Sequence, residues 1–524
     1  MRFGSLSRSA VVALVAVAPV MAARAQDEAG GRVVLVLPFD NRSGQANLDW
    51  IGESFANTLN ARLRSAGFLT ISRDDRVYAL DHLGLPEGFR PSRATTIRIA
   101  QTLDAQFVVV GNFTVKDGTV TARAQVLAVN KLNMTAPLEQ SADLPRLLDI
   151  ENNLAWLVAR SMDPKFAVSQ ATFQAASAGL KLDAYESYIR GITASSADER
   201  MNRLKTAVQL APMNADALLA LGKLQYTNGD YDAAAATLSK VPPSDLLALE
   251  AGFYRGLAAF NNAHYADAES AFAAVSTKLP LPEVVNNQGV AMARQRKDGT
   301  VLLQHASQAD PQDAEYHFNV AVTLRRKGNN AAAKTEIDQA VKLKPNDVES
   351  RQLQAVLANP AATPAGFDPQ ERVRRTYSEA AFRQAAFQID QLRAMRLAAL
   401  PADQQATAYA QAGQDYLNQG LMLEAEREFQ SAVQAQPGSA AAHLGLAMVR
   451  ERSGNGDEAR KEAQASLQSK PSAAAWLVLA RLDISSNNNS AAATEIGNAL
   501  RLEPGNSSAV SLKSILASRG VTIP

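Results

Sequence analysis

The sequence predicts two folds in one chain, a small mixed-sheet α/β domain followed by an all-α solenoid of paired helices. Three observations lead there. From Arg32 to about Met162, short β-branched runs alternate with apolar stripes spaced by three or four residues, the signature of strands alternating with helices. Beyond about residue 183, prolines recur at a fixed interval: Pro311 and Pro345 lie 34 residues apart, Pro437 and Pro471 again 34, and Pro504 follows after 33. The 524 residues exceed what one core holds, and 47% apolar content beside only 6% aromatic content points to helices packed through small side chains.

The first segment reads as a leader. Arg2 and Arg8 precede the apolar run Ala10 to Met21, and Ala23-Arg24-Ala25 forms an A-x-A cleavage site before Gln26. Twelve apolar residues fall short of the ~20 that span a bilayer, so residues 1–25 are expected to be a cleaved signal peptide, an uncleaved anchor being the alternative. No later window reads as a transmembrane segment of the mature chain.

Residues 26–165 are expected to form the α/β domain. Val33 to Leu37 is an uninterrupted apolar strand closed by Pro38, as in a strand covered on both faces. Leu48, Ile51, Phe55, Leu59 and Leu63 form a helix stripe that stops at Gly67. A short strand, Phe68 to Ser72, precedes a weak helix near Val77 to Leu83 and another from Thr95 to Leu103, with Ser92 as its N-cap. Phe107 to Val110 and Val120 to Val129 flank the turn Lys116-Asp117-Gly118 as a hairpin. Asp143 to Met162 closes the domain as an amphipathic helix with Leu147, Leu154, Leu157 and Val158 inward.

The 34-residue period, with its small and large positions, resembles the tetratricopeptide repeat. In the unit ending at Pro437, Tyr409, Ala412, Gly413 and Tyr416 mark the first helix, and Ala425, Phe429 and Ala432 the second. Further units carry Leu218, Leu221, Gly222, Ala234 and Leu238; Gly256, Ala268 and Phe272; Val320, Ala321, Leu324, Ala333, Ile337 and Ala340; Leu446, Ala447, Ala459 and Ala463; and Trp476, Leu479, Ala480, Ala492, Ile496 and Ala499. Small residues at the eighth and twentieth positions let two helices approach, and large ones elsewhere fill the gap. Gly229, Gly328, Gly420 and Gly454 fall at the turn inside a pair, where a left-handed backbone is cheap for glycine. Degenerate units are expected near Tyr185 to Pro212 and Leu281 to Pro311. The resemblance divides the remaining chain into a first block at 183–358, a linker with irregular helices at 359–403, and a second block at 404–524 ending in a capping helix. Within the linker, Asn359 to Gly366 reads as a flexible connection and Pro369 to Leu400 as one or two longer helices.

The amino-terminal domain also resembles a known family. Val36-Leu37-Pro38-Phe39-Asp40-Asn41, Asp49-Trp50-Ile51-Gly52-Glu53, Ile71-Ser72-Arg73, Phe107 to Gly111 and Ala124-Gln125-Val126-Leu127 are similar to the N-terminal domain of TolB and the related CsgG-like domains. That resemblance implies a bacterial envelope location and protein contacts. TolB continues from this domain into a β-propeller, whereas this sequence continues into helical repeats.

Chemistry finds little footing. The absence of cysteine removes disulfides, cysteine-ligated metals, thiol nucleophiles and an N-terminal lipid anchor. Lys+Arg (53) against Asp+Glu (52) gives no field that favours nucleic acid. Neither phosphate-cradling glycine motif occurs, and His82, His264, His305, His317 and His443 lack metal-binding spacing. Gly52-Glu53-Ser54-Phe55-Ala56 is half of a nucleophile elbow inside a helix, which makes Ser54 a surface serine. Asp40, Asn41, Arg42 and Asp49, at the end of the first strand, are either a ligand contact or, more simply, a turn with Asn41 or Asn47 capping the next helix. Asp74 and Asp75 read as a helix cap rather than an acid/base pair.

The repeat resemblance implies that the second, fifth, ninth, twelfth and thirteenth positions of each first helix face a concave groove. These are Lys223 and Tyr226; Phe253, Leu257 and Phe260; Phe318, Val322, Arg325 and Arg326; Gln414, Leu417 and Asn418; Leu444, Met448, Glu451 and Arg452; and Leu477 and Arg481. Phe318 and Val322 stand where a clamp for a peptide carboxylate would have lysine and asparagine. The expected function is therefore an exported, periplasmic or secreted scaffold without catalytic residues, metal or cofactor, binding a partner protein or peptide of the envelope in its groove. The alternative is a small-ligand sensor, or an accessory subunit of an envelope or secretion complex, acting through the α/β domain.

Overall fold

The structure, a computed structural model, describes residues 33–86, 92–177, 179–377 and 392–523. The expected leader lies outside the described residues. The chain divides into two compact units: one holds the residues up to Ser177 with Leu400–Leu417 and Met422–Pro524, the other Ala178–Ala399 with Asn418–Leu421.

The first unit opens on a mixed sheet. Strands β1 (Val33–Val36), β3 (Leu69–Thr70) and β4 (Phe107–Lys116) run parallel, with β1 between the other two. The two-residue β2 (Asp40–Asn41) extends the parallel edge against β4, and β5 (Thr119–Ala128) pairs antiparallel with β4 across the turn at Asp117 and Gly118. Strand β7 (Leu138–Asp143) pairs with β5 from Thr119 opposite Asp143, and the short β6 (Asn133–Met134) pairs with its far end. Strand β7 is not legible from the sequence, because Leu138-Glu-Gln-Ser-Ala-Asp143 carries little apolar signal. It is an edge strand that alternates half-buried and exposed positions.

Helices Trp50–Ser65 and Leu147–Met162 pack on one face of this sheet, and Arg73–His82 and Arg93–Thr102 supply the other cover. Val34, Leu35 and Val36 are fully buried, as a strand covered on both faces should be. Phe39 stacks on Phe55 with ring centroids 4.5 Å apart, and Phe55 meets Phe113. Gly52 is obligatory here, since its carbonyl accepts the Phe39 amide at 3.0 Å and a Cβ would strike the Phe39 carbonyl. Ser92 caps its helix as expected. Ser72 caps the preceding one by accepting from the Asp75 amide, so Asp74 and Asp75 are first-turn residues rather than the cap.

After the domain, the short helix Gln170–Ala175 meets the helices Met422–Ala435 and Ala440–Arg452 of the second repeat block within the same unit. Glu426, fully buried, accepts from the Ser169 amide (3.1 Å) and the Thr172 hydroxyl (2.5 Å), and Gln430 donates to the Ala167 carbonyl at 2.8 Å. A carboxylate therefore holds the N-terminus of that helix from outside.

The second unit contains paired helices from Leu182–Thr193 to Val348–Ala358. Each pair closes over a small residue: a Cβ at Gly191 would lie 2.8 Å from Leu204, at Gly256 2.6 Å from Phe272 and at Gly289 2.9 Å from Leu303. The degenerate segments near Tyr185 and Leu281 are thus packed as the regular ones are. The same packing recurs in the first unit, where Gly413 and Gly445 both abut Phe429.

One segment departs from expectation. Pro369 to Leu400 reads from sequence as one or two longer helices, but residues 369–377 run as extended, non-helical chain with a bend at Arg375, because the backbone of Arg372 and Arg374 is hydrogen-bonded by side chains of the repeats. The rest of that expected helical stretch falls partly on 378–391, outside the described residues.

Candidate peptide-binding groove

The first repeat block holds this extended segment along the first helices of its pairs. Three buried asparagines, Asn286 and Asn287 on Pro282–Arg294 and Asn319 on Ala314–Arg326, grip its backbone. Asn319 accepts from the Arg372 amide at 2.7 Å and donates to the Arg372 carbonyl at 2.8 Å. Asn287 does the same for Arg374, at 2.7 and 2.8 Å. Asn286 adds a donor to the Arg372 carbonyl at 3.1 Å and accepts from Asn319 at 2.8 Å. Each clamped residue thus has its N–H and C=O paired by one side-chain amide. Alternate residues are clamped, as in a strand pairing.

The side chains are read as well. Glu371, 2% exposed, enters a cleft where Arg326 contacts both its oxygens (2.6 and 2.7 Å), Arg294 binds at 3.0 Å and Thr323 donates at 3.2 Å. The Arg372 guanidinium lies 3.9 Å from the centroid of the Phe318 ring and pairs with Asp347 and Glu349. Burial opposes its charge, but hydrogen bonds to those two carboxylates outweigh burial and hold its pKa above the usual arginine value. Arg374 lies over Tyr316 and pairs with Asp313 and Glu315. Val373 packs among the apolar residues of the neighbouring repeats, and Tyr377 meets Phe253 edge-on at 5.0 Å.

Of the groove residues expected from sequence, Phe253, Leu257, Phe318 and Val322 are buried, in clusters against which Val373, Tyr377 or Phe367 pack. Arg325 lies over the Phe367 ring, and Phe260 is half-buried beneath Arg294. Lys223 pairs with Glu250 at 2.9 Å, and Tyr226 packs on Tyr254. In the second block, Leu417 and Leu477 are core residues and Leu444 and Met448 are half-buried. Arg481 forms a two-pronged pair with Glu451, both bonds 2.6 Å, and Arg452 donates to the Leu417 carbonyl at 3.1 Å. Gln414 is half-buried and Asn418 exposed. Asn286, Asn287, Asn319 and Arg294 were missed. The sequence did contain a signal for the repeat that begins at Pro282: taking Gly289 as its eighth position puts Asn286 and Arg294 at the fifth and thirteenth.

The other candidate centres close on themselves. Ser54 is fully buried, not a surface serine. It donates to Glu151, as does Thr58 at 2.5 Å, because the helix stripe that carries it faces Leu147–Met162. Burial pushes the Glu151 carboxyl up to about 7 against the hydrogen bonds from Ser54 and Thr58. Asn41 donates to Asp49 (2.7 Å) and the Gln45 carbonyl (2.9 Å) while accepting from the Ser43 amide. It shapes the turn, and Asp49 rather than Asn41 or Asn47 stands at the N-cap of the next helix, with no side-chain cap bond. Among the described residues no group of three or more His, Asp or Glu side chains could hold a metal ion, and no helix is long and apolar enough to cross a membrane.

Three segments of the chain match tetratricopeptide-repeat family profiles, at residues 195–248, 314–347 and 411–474. The chain thus carries tetratricopeptide repeats, modules that bind protein partners. No curated protein matches it. Among solved structures, a fragment of MamA from Desulfovibrio magneticus RS-1 is 20% identical, covering 32% of this chain and 99% of that one with a TM-score of 0.30. A tetratricopeptide repeat protein from Parabacteroides merdae is 11% identical over 58% of this chain and 98% of that one, with a TM-score of 0.26. The C-terminal domain of LpoB from Salmonella enterica is 22% identical over 22% of this chain and 83% of that one, with a TM-score of 0.19.

Proposed function

We propose that this protein is an exported, non-catalytic scaffold of the bacterial cell envelope that receives an extended segment of a partner protein in the groove of its first repeat block. The observation that carries this reading is the paired hydrogen bonding of a backbone by Asn287 and Asn319. Side-chain amides that pair with N–H and C=O groups at alternate residues recognise an extended chain whatever its side chains, and the flanking charged and apolar contacts then select a sequence. Export is supported by the leader pattern of residues 1–25, and an envelope role by the likeness of residues 32–162 to TolB N-terminal and CsgG-like domains. The α/β domain is the second contact surface.

The test is site-specific photocrosslinking in the native cells with a reactive residue at Phe260, beside the groove. A partner adduct should form and be lost when Asn287→Ala and Asn319→Ala are combined. Adducts unchanged by that pair of substitutions would refute groove binding.

A further inference from the structure

The occupied groove says more about the partner than an empty one would. We infer that residues 367–377 are a tethered stand-in for the partner's own segment, so that the partner presents an acidic side chain to the Arg294–Arg326 cleft and a basic one immediately after it, over Phe318. This rests on the scaffold reading above and adds to it the chemistry of the partner and the means by which access is controlled.

The cleft is the most selective element. Two guanidiniums from the thirteenth positions of consecutive repeats converge on one carboxylate whose side chain is fully enclosed, and Thr323 supplies a further donor. A neutral or basic side chain there would leave Arg294 without a counter-charge and Arg326 with only the exposed Asp368. One residue later the environment reverses: Asp347 and Glu349 take Arg372, and Asp313 and Glu315 take Arg374. The groove is thus patterned positive, negative, negative along an extended chain, with Asn286, Asn287 and Asn319 setting the register. A tether also makes the stand-in a competitor. A segment joined to its own groove by a short connection acts at an effective concentration in the millimolar range, so a free ligand binds only in proportion to the fraction of grooves that open.

A fluorescent synthetic peptide with the sequence of residues 366–377 serves as the probe, titrated by anisotropy into the full chain. The wild-type chain should bind it weakly. Glu371→Lys, which makes the tethered segment repel Arg294 and Arg326, should bind it at least ten-fold more tightly, and a peptide carrying lysine in place of that glutamate should not bind at all. Should Glu371→Lys lose helicity, Arg372→Ser combined with Arg374→Ser loosens the same segment without placing a cation in the cleft, and the same gain is expected. An opened chain that stays helical yet binds the peptide no better than wild type overturns the proposal. So does a wild-type chain that is dimeric and becomes monomeric on Glu371→Lys, since the occupant would then be a second copy. If the Phe260 adducts persist while no opened variant gains affinity, the scaffold reading stands and the acidic-anchor rule alone falls.

Discussion

Glu151→Gln should change how the stability of the α/β domain depends on pH. Glu151 is enclosed between helices Trp50–Ser65 and Leu147–Met162, where Ser54 and Thr58 both donate to it. Burial raises its pKa from an ordinary 4.5 to about 7, and the hydroxyl donors and Arg62 pull the other way without cancelling it. Between those values the folded domain holds a proton that the unfolded chain has released, so stability must fall as pH rises through that window and level off above it. At about 1.36 kcal/mol per pH unit, the full window is worth about 3 kcal/mol. Glutamine keeps the shape and one acceptor but cannot ionise. The variant should therefore lack this slope and exceed the wild type at pH 8 by up to about 3 kcal/mol. Urea unfolding of the full chain at pH 5 and pH 8, with Trp476→Phe so that Trp50 and Trp156 report, measures the difference. Equal pH slopes in the two proteins would show that Glu151 does not carry the buried proton.

Three further outcomes rest on packing and charge. Gly445→Ala forces a Cβ into the Phe429 ring and should cost about 1–3 kcal/mol in thermal unfolding, whereas Gly438→Ala, with nothing within 4 Å, should be nearly neutral. His317 bonds Glu336 at 2.6 Å, and that bond holds its pKa above 6.5 despite partial burial. Its contribution is complete below pH 6.5 and lost as pH rises through the raised value, so the melting-temperature gap between wild type and His317→Gln should be wider at pH 6 than at pH 9. Glu426→Ala leaves Ser169 and Thr172 without their buried acceptor and should cost about 1–3 kcal/mol, seen as faster hydrogen exchange across residues 167–176. Unchanged exchange there would show that the short helix is held by other contacts.

The repeats were legible because their physics is local and periodic. Gly222 against Leu238 or Gly256 against Phe272 states a helix pair within seventeen residues, and the interval between prolines states the stacking. The β1 run and the β4–β5 hairpin were legible for the same reason. What escaped were features set by distant partners. Ser54 looks polar and exposed on its helix until Leu147–Met162, some 93 to 97 positions away, brings Glu151 against it. Strand β7 is defined by its pairing with β5, not by its own pattern.

The extended segment is the sharpest instance. Glu371-Arg-Val-Arg-Arg375 contains good helix formers, and local propensity favours a helix there. Helical pairing would satisfy each N–H from the carbonyl four residues before it. The groove instead satisfies the Arg372 and Arg374 N–H groups from Asn319 and Asn287, 53 and 87 positions away, while offering Glu371 and Arg372 counter-charges that a solvated helix would not. Tertiary contacts therefore override propensity only while the groove is available to the segment. A partner that takes the groove removes the reason for the extended form, and the released residues then revert to the preference their own sequence encodes. Binding of the peptide to the Glu371→Lys chain should accordingly leave its helicity equal to or greater than that of the closed wild type, and a fall in helicity on binding would refute the idea that the groove alone keeps this segment extended.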